Sequence, residues 1–310
     1  LVNRDDDQNP LTWSYNFTIS QRVPGKNLLE VAYVGNMVRH ILLTGYSNIN
    51  AVPYGTLLNV PNANSVNYNL YRPYTAYADL FVANHDGYSN YNSLQVGLNH
   101  QGARYTWLVN YSWSKVLGAG TSGTTIDQLT LANNYGPLQF DRRHIFNAAY
   151  SFELGHPVKG KLLGGVVNGW QLSGLTQVQS GVPLQVNSGG GNFSMTLPQG
   201  VTARNITGTN SVPAMPTLTC DPRSGLGDHQ YLNPSCFTLP TPGNNGPIIQ
   251  PQSYGPWFLN SDLSLFKNFR FTEHQKLQFR AEAFNFLNHA NYTFGQDSNL
   301  NLTFDANGKV

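Results

Sequence analysis

The chain has 310 residues, enough for one large all-β domain or two ordinary ones, and a sizeable core is within its reach. Charged residues make up only 11%, against roughly 25% in ordinary soluble domains, while aromatics reach 12%. A net charge of +2 without a basic run gives no footprint for nucleic acid, and no stretch of eighteen apolar residues provides a transmembrane helix, a fact that says nothing against a barrel.

Residues 11 to 23 alternate, with Trp13, Tyr15, Phe17 and Ile19 on one face and Thr12, Ser14, Asn16 and Thr18 on the other, the period of a half-buried strand. Pro24-Gly25-Lys26 turns the chain back into a second strand over 27 to 38, with Leu29, Val31 and Tyr33 on one side. Residues 39 to 90 carry little sustained period and are expected to form a long loop. Within it Tyr68, Tyr71, Tyr74 and Tyr77 are the densest aromatic cluster and the candidate ligand-binding residues, because tyrosine offers stacking area and a hydroxyl at low entropy cost. Equally, such a loop can pack on itself.

The clearest unit is the hairpin 91 to 114. Leu94, Val96 and Leu98 share a face in its first strand, and Tyr105, Trp107, Val109, Tyr111 and Trp113 share one in its second; only Leu108 breaks the alternation. A strand of about ten residues, apolar on one face and aromatic at both ends, fits a bilayer core. After it come a second expected loop (115 to 141), a strand (142 to 154) with Phe146, Ala148, Tyr150 and Phe152 on one face, and a modest turn (155 to 163). The next strand, 166 to 179, sets Trp170, Leu172 and Val178 against Gln171, Ser173 and Gln177; a third long region (180 to 256) follows, then a last hairpin, 257 to 270 with 276 to 288. Short and long connections thus alternate along eight strands, the pattern of an outer-membrane barrel with short turns at one surface and long loops at the other. In the last hairpin, pairing about the turn is expected to bring Asp262 near Arg280, either as a lumen ion pair or as a solvated surface pair worth little.

Chemical motifs are sparse. Gly118-Ala119-Gly120-Thr121-Ser122-Gly123 is a literal G-x-G-x-x-G, but the strand before it alternates and 124 to 134 makes a poor helix, so a flexible loop explains the glycines better than a dinucleotide site. Eight scattered histidines offer no metal spacing, no nucleophile elbow occurs, and neither cofactor nor enzymatic activity is expected. The Asp5-Asp6-Asp7 run reads as a solvated turn. Cys220 and Cys236 pair and staple a loop in an oxidising compartment; in the cytosol they are two thiols.

The phrases LLEVAYVGNMVRHIL (28 to 42), SNYNSLQVGL (89 to 98), NYSWSKVLG (110 to 118), FDRRHIFNAAYSFELG (140 to 155), NGWQLSGLTQVQSGVPLQV (168 to 186) and LNSDLSLFKNFRFTEHQKLQFRAEAFNFLNHANY (259 to 292) resemble the carboxy-terminal barrel of the TonB-dependent receptor-like proteins of Acidobacteria, the Oar-like type with a carboxypeptidase-regulatory-like domain. The resemblance implies part of a 22-stranded outer-membrane barrel that imports a bulky ligand, with outer-membrane lipid and, through a plug, the TonB complex as partners. Residues 1 to 310 show no plug, no TonB box and no final aromatic-ended strand, so the expectation is a barrel segment. The alternative is a structural protein: unclosed strands recruit further chains, and a released fragment would self-associate into extracellular fibres or tubes.

Overall fold

The structure is a computed structural model, and it describes residues 5–62, 65–119, 127–138, 140–155, 157–185, 193–227, 230, 232–247, 249–270, 275–292 and 300–310. Eight long strands follow one another through an antiparallel sheet: β1 (Leu11–Val23), β2 (Asn27–Asn48), β3 (Phe81–Gln101), β4 (Tyr105–Ala119), β5 (His144–Glu153), β6 (Trp170–Gln179), β7 (Phe258–Arg270) and β8 (Lys276–Ala283). Each pairs with its sequence neighbour, and the two-residue strand Gly136–Pro137 adds to β4. Among the described residues the sheet is not closed, and β1 and β8 are its two ends.

The registers put every apolar stripe on the same side. Directly opposed residues share a face, and Phe17↔Tyr33, Tyr33↔Leu94, Leu94↔Trp113, Val109↔Ala148, Tyr150↔Gly174, Leu172↔Leu265 and Leu265↔Ala281 carry one apolar face from β1 to β8. The opposite face is a polar ladder. Asn36 donates to Ser14 (3.0 Å), Gln171 to Ser151 (2.8 Å), Ser264 to Glu282 (3.2 Å) and Gln278 to Asn268 (3.0 Å), although Leu28, Leu108, Leu175 and Phe266 interrupt it.

Aromatic rings gather at two heights on the apolar face. Near the short turns, Tyr105 and Trp107 lie 6.0 and 6.3 Å from Phe152, and Trp170 meets Phe279 edge-on at 6.5 Å; near the long connections, His144 stacks with Tyr111 at 6.1 Å and Trp257 at 5.6 Å. From Tyr105 to Trp113 runs about 26 Å of strand at ~3.3 Å per residue, which at a tilt near 40° spans roughly 20 Å of the ~25 Å apolar band of a membrane barrel. Two glycines on this face each lie beneath a tyrosine ring. Tyr15 lies across Gly35 and Tyr150 across Gly174, so that a Cβ on either glycine would collide with the ring.

Several boundaries differ from the sequence expectation. The presumed loop 39 to 90 is strand at both ends, because β2 continues to Asn48 and β3 begins at Phe81. Register shifts between Val38, Ile41, Leu43 and Ser47, with His40 at a positive φ of 56°, break the two-residue period there. Likewise β4 extends to Ala119. Residues 155 to 169, expected to be a turn and the start of a strand, contain helix α1 (Lys161–Val167), and β6 begins only at Trp170. The last strand ends at Ala283 rather than 288. No helix among the described residues is long and apolar enough to cross a membrane.

At the other end, the long connections and the residues after β8 fold onto one another as a cap. Val52, Leu57, Ala214 and Met215 are at most 2% exposed, and an apolar cluster joins Phe237 with Leu302 and Phe304. Helix α2 (Ala203–Thr207) ends at Gly208, whose φ of 69° and closeness to Gly55 exclude a side chain; Gly55 N donates to Thr207 O (2.9 Å) and Leu57 N to Gly208 O (2.8 Å). Residues 193–196 and 300–303 pair in parallel, and a bridge joins Thr238 to Lys309.

Candidate functional site

The cap presents its tyrosines on a polar frame. Asn50, fully buried, donates through Nδ2 to the carbonyls of Tyr74 (3.0 Å), Tyr77 (3.0 Å) and Ala78 (2.7 Å), and its Oδ1 accepts from Tyr74 N (2.7 Å). One amide therefore fixes the path of the segment 74–78. Arg72 donates to Asn50 O (2.5 Å) and to Asp79 Oδ1 (2.5 Å), and Asn48 Nδ2 donates to the same carboxylate at 2.7 Å. Burial opposes ionisation of Asp79, but the Arg72 and Asn48 bonds outweigh it and hold the carboxyl below its usual range.

On this frame the four predicted residues divide into two pairs. Tyr74 and Tyr77 are 53% and 59% exposed, with Leu70 exposed beside them in sequence. Tyr68 and Tyr71 bound a short 3₁₀ turn and are half-buried, and the guanidinium of Arg204 lies 4.5 Å over the Tyr68 ring. So the exposed pair is what a ligand above the cap would meet, and Tyr68 belongs to the packing beneath.

Two further buried carboxylates organise the cap, Asp127 within it and Asp141 at its junction with β4, and sequence reading gave neither of them this role. Asp127 accepts the Tyr54 hydroxyl, the amides of Leu129 (2.9 Å) and Thr130 (3.0 Å) and Asn133 Nδ2 (2.7 Å). Burial first, and then this acceptor, push the Tyr54 hydroxyl's pKa up. Asp141, with no exposed surface, takes the amide of Val116 at the end of β4 (2.7 Å) and the hydroxyl of Tyr254 (2.8 Å). Arg143 completes the set, 3.3 Å from Asp141 and donating to the Tyr254 oxygen at 2.9 Å. Tyr254 is pushed up to about 12, chiefly by burial, with Asp141 adding to it. The available signal was scarcity: in so charge-poor a chain, an Asp-Arg-Arg run is a candidate for a buried network.

The remaining predicted residues fall as follows. Cys220 and Cys236 are joined in a disulfide, Cα atoms 4.9 Å apart, within the cap. Asp262 and Arg280 do not pair. The hairpin closes at Arg270↔Lys276, which sets Arg280 opposite Phe266, four residues beyond Asp262. Arg280 instead donates to Glu282 (Nε to Oε1, 2.8 Å) and covers the Phe266 ring at 5.2 Å, while Asp262 accepts from Asn260 (3.1 Å) and from the amide of Asn285 (2.9 Å) where β8 ends. Asp6 is not simply solvated, since its carboxylate accepts from His85 N (2.6 Å) and contacts Nδ1 (2.9 Å). Of the glycine motif, Gly118 and Ala119 end β4, and 120 to 123 lie outside the described residues, as do 271–274 of the last turn and His156.

A family model described as an outer membrane beta barrel domain matches residues 2–308. The chain belongs to this outer-membrane β-barrel family. No curated protein matches it. Membership gives the faces their environment: in an outer-membrane barrel domain the apolar face from Phe17 to Phe279 meets lipid, the polar ladder meets the interior, and the short turns and the cap stand at opposite membrane surfaces.

Proposed function

We propose that this outer-membrane barrel domain is wall and outer cap of a TonB-dependent receptor that imports a bulky ligand. The observation that carries the reading is the cap. Its long connections are folded around buried polar hubs and display Tyr74 and Tyr77 to the exterior, where receptor loops first meet a ligand. The resemblance over 28 to 292 supports the energised mechanism, in which a plug couples the barrel to TonB, and a glycan suits the tyrosine faces best. No enzymatic step and no cofactor enters this reading.

The test begins with a glycan and peptide array probed with the detergent-solubilised chain. For the tightest array hit, Tyr74→Ala with Tyr77→Ala should weaken binding about tenfold or more, given ~1 kcal/mol per aromatic contact, and uptake of the hit by cells should stop with a proton uncoupler. Unchanged binding by the double variant would remove the tyrosines from the site; uptake indifferent to the uncoupler would remove TonB coupling.

A second reading rests on the open sheet, whose end strands β1 and β8 each pair on one side only among the described residues. Such edges template the addition of further strands, and assembly into extracellular fibres would follow. Negative-stain microscopy of purified chain separates the two readings: regular filaments favour assembly, and detergent-dependent particles without filaments favour the receptor wall.

A further inference from the structure

Helix α1 lies at the short-turn rim, and two side chains of the lipid-facing side hold it there. Trp170, Lys267 and Phe279 form one row across β6, β7 and β8 on the apolar face, by the pairs Lys267↔Trp170 and Lys267↔Phe279. From that row Trp170 Nε1 donates to Val166 O at 2.7 Å, and Lys267 Nζ donates to Asn168 O while lying 5.5 Å from the Trp170 ring and 5.2 Å from the Phe269 ring. Asn168 in turn clamps the incoming loop: its Nδ2 donates to Val158 O (2.6 Å) and its Oδ1 accepts from Val158 N (3.0 Å). The helix end is therefore tied to side chains of the lipid-facing side of the wall.

What α1 then shows to its surroundings is apolar. Leu163 and Val166 are 68% and 67% exposed, Val167 is also exposed, and Leu154 continues the strip toward the strands. A helix of water-facing residues would not take the sequence KLLGGVV. We propose that α1 is an interfacial anchor: it lies in the headgroup and upper acyl region of the membrane leaflet at the short-turn surface, which in outer-membrane barrels is the periplasmic one. Its occupant is phospholipid, argued from continuity with the lipid-facing wall. Lys267 supports the placement, because a lysine stem lying along aromatic rings with its ammonium turned to the rim carbonyl is how a cation reaches the edge of the apolar zone. A cavity of about 450 Å³ at this rim is lined by Trp170, Lys267 and Phe269 from the apolar face and by Glu153, Gln171 and Asn268 from the polar face, so it straddles the edge of the wall beside the helix.

The test uses the full chain folded into phosphatidylethanolamine and phosphatidylglycerol vesicles. Both native cysteines are in the disulfide, so Leu163→Cys and Val166→Cys each provide one labelling site for an environment-sensitive fluorophore. Ala103→Cys, in the exposed turn between β3 and β4 at the same end, is the aqueous reference. Labels at 163 and 166 should be quenched by lipids with a shallow nitroxide, and iodide should quench them about twofold less than the label at 103. Iodide quenching equal to that at 103 overturns the proposal, and so does shielding from iodide without nitroxide quenching, which would mean protein cover. If Val166→Cys does not fold, Gly165→Cys reports on the same helix, since an added Cβ there meets nothing within 4 Å.

Discussion

The wall and the cap bury their apolar groups by opposite routes. Among the described residues, every buried hydrophobic side chain belongs to the cap, the tail or the strand ends that reach it, whereas Phe17, Ile19 and Phe279 on the wall are more than half exposed. The cap behaves like a small secreted domain, with buried apolar side chains, buried amide and carboxylate hubs and a disulfide. The wall has backbone pairing on both sides of each inner strand but no apolar partner of its own, and relies on lipid to supply one. The same chain thus depends on two solvents, and substitutions should separate them.

The largest effect should come from the cap core. Phe237→Ala removes a ring that is 1% exposed and packs with Leu302 and Phe304, and should cost about 3 to 5 kcal/mol of cap stability. Limited proteolysis should show the cap cut early while the wall keeps its far-ultraviolet strand signal; joint loss of both would mean that the two regions are one cooperative unit. Next comes Val109→Arg, on the lipid face between the aromatic belts, at roughly 2 to 4 kcal/mol, with Ser112→Arg on the polar face costing much less. Urea titration of folding into vesicles measures both, and equal costs would undo the face assignment.

Gly174→Val should be smaller, about 1 to 3 kcal/mol from overpacking against the Tyr150 ring. Tyr150→Ala in the same chain should recover part of the loss, as a double-mutant cycle would show. The smallest effect is one of pH. Tyr254 keeps its proton more tightly in the folded cap, where its pKa is about 12 against an ordinary 10, so between those values the folded state binds more protons and cap stability falls as pH rises. Tyr254→Phe should flatten that alkaline slope in cap proteolysis, while the wall, through Val109, is indifferent to it. A slope unchanged in Tyr254→Phe would assign the alkaline loss to other groups.

The wall was the legible part of the sequence. Trp13 to Ile19, Tyr105 to Trp113 and Phe146 to Phe152 pair without bulges, and a period of two kept in register fixes a face whichever strand lies beside it, even with Leu108 out of pattern. Where the ladder slips, at Val38, Ile41 and Leu43, the period breaks and strand reads as loop. The Asp262 and Arg280 pairing failed for a related reason, since a hairpin's register depends on where the turn closes, here at Arg270↔Lys276, and charge alone does not locate that point. Helix α1 was hidden by its length and its two glycines, which give it little intrinsic helix preference; Trp170 and Lys267 hold it from outside. Of the cap's hubs, only the Asp-Arg-Arg run around Asp141 left a trace in the sequence; the distant partners, Tyr74 for Asn50 at 24 residues and Tyr254 for Asp141 at 113, were beyond reading.

The most direct test of the two-solvent account compares neighbours on one strand. Val109→Cys and Asn110→Cys, each labelled with a small fluorophore in the full chain folded into vesicles, lie one residue apart on opposite faces of β4. The account predicts that lipids brominated deep in the acyl chain quench the label at 109 and leave that at 110 nearly unaffected. Equal quenching at both sites, or quenching at 110 alone, would contradict it.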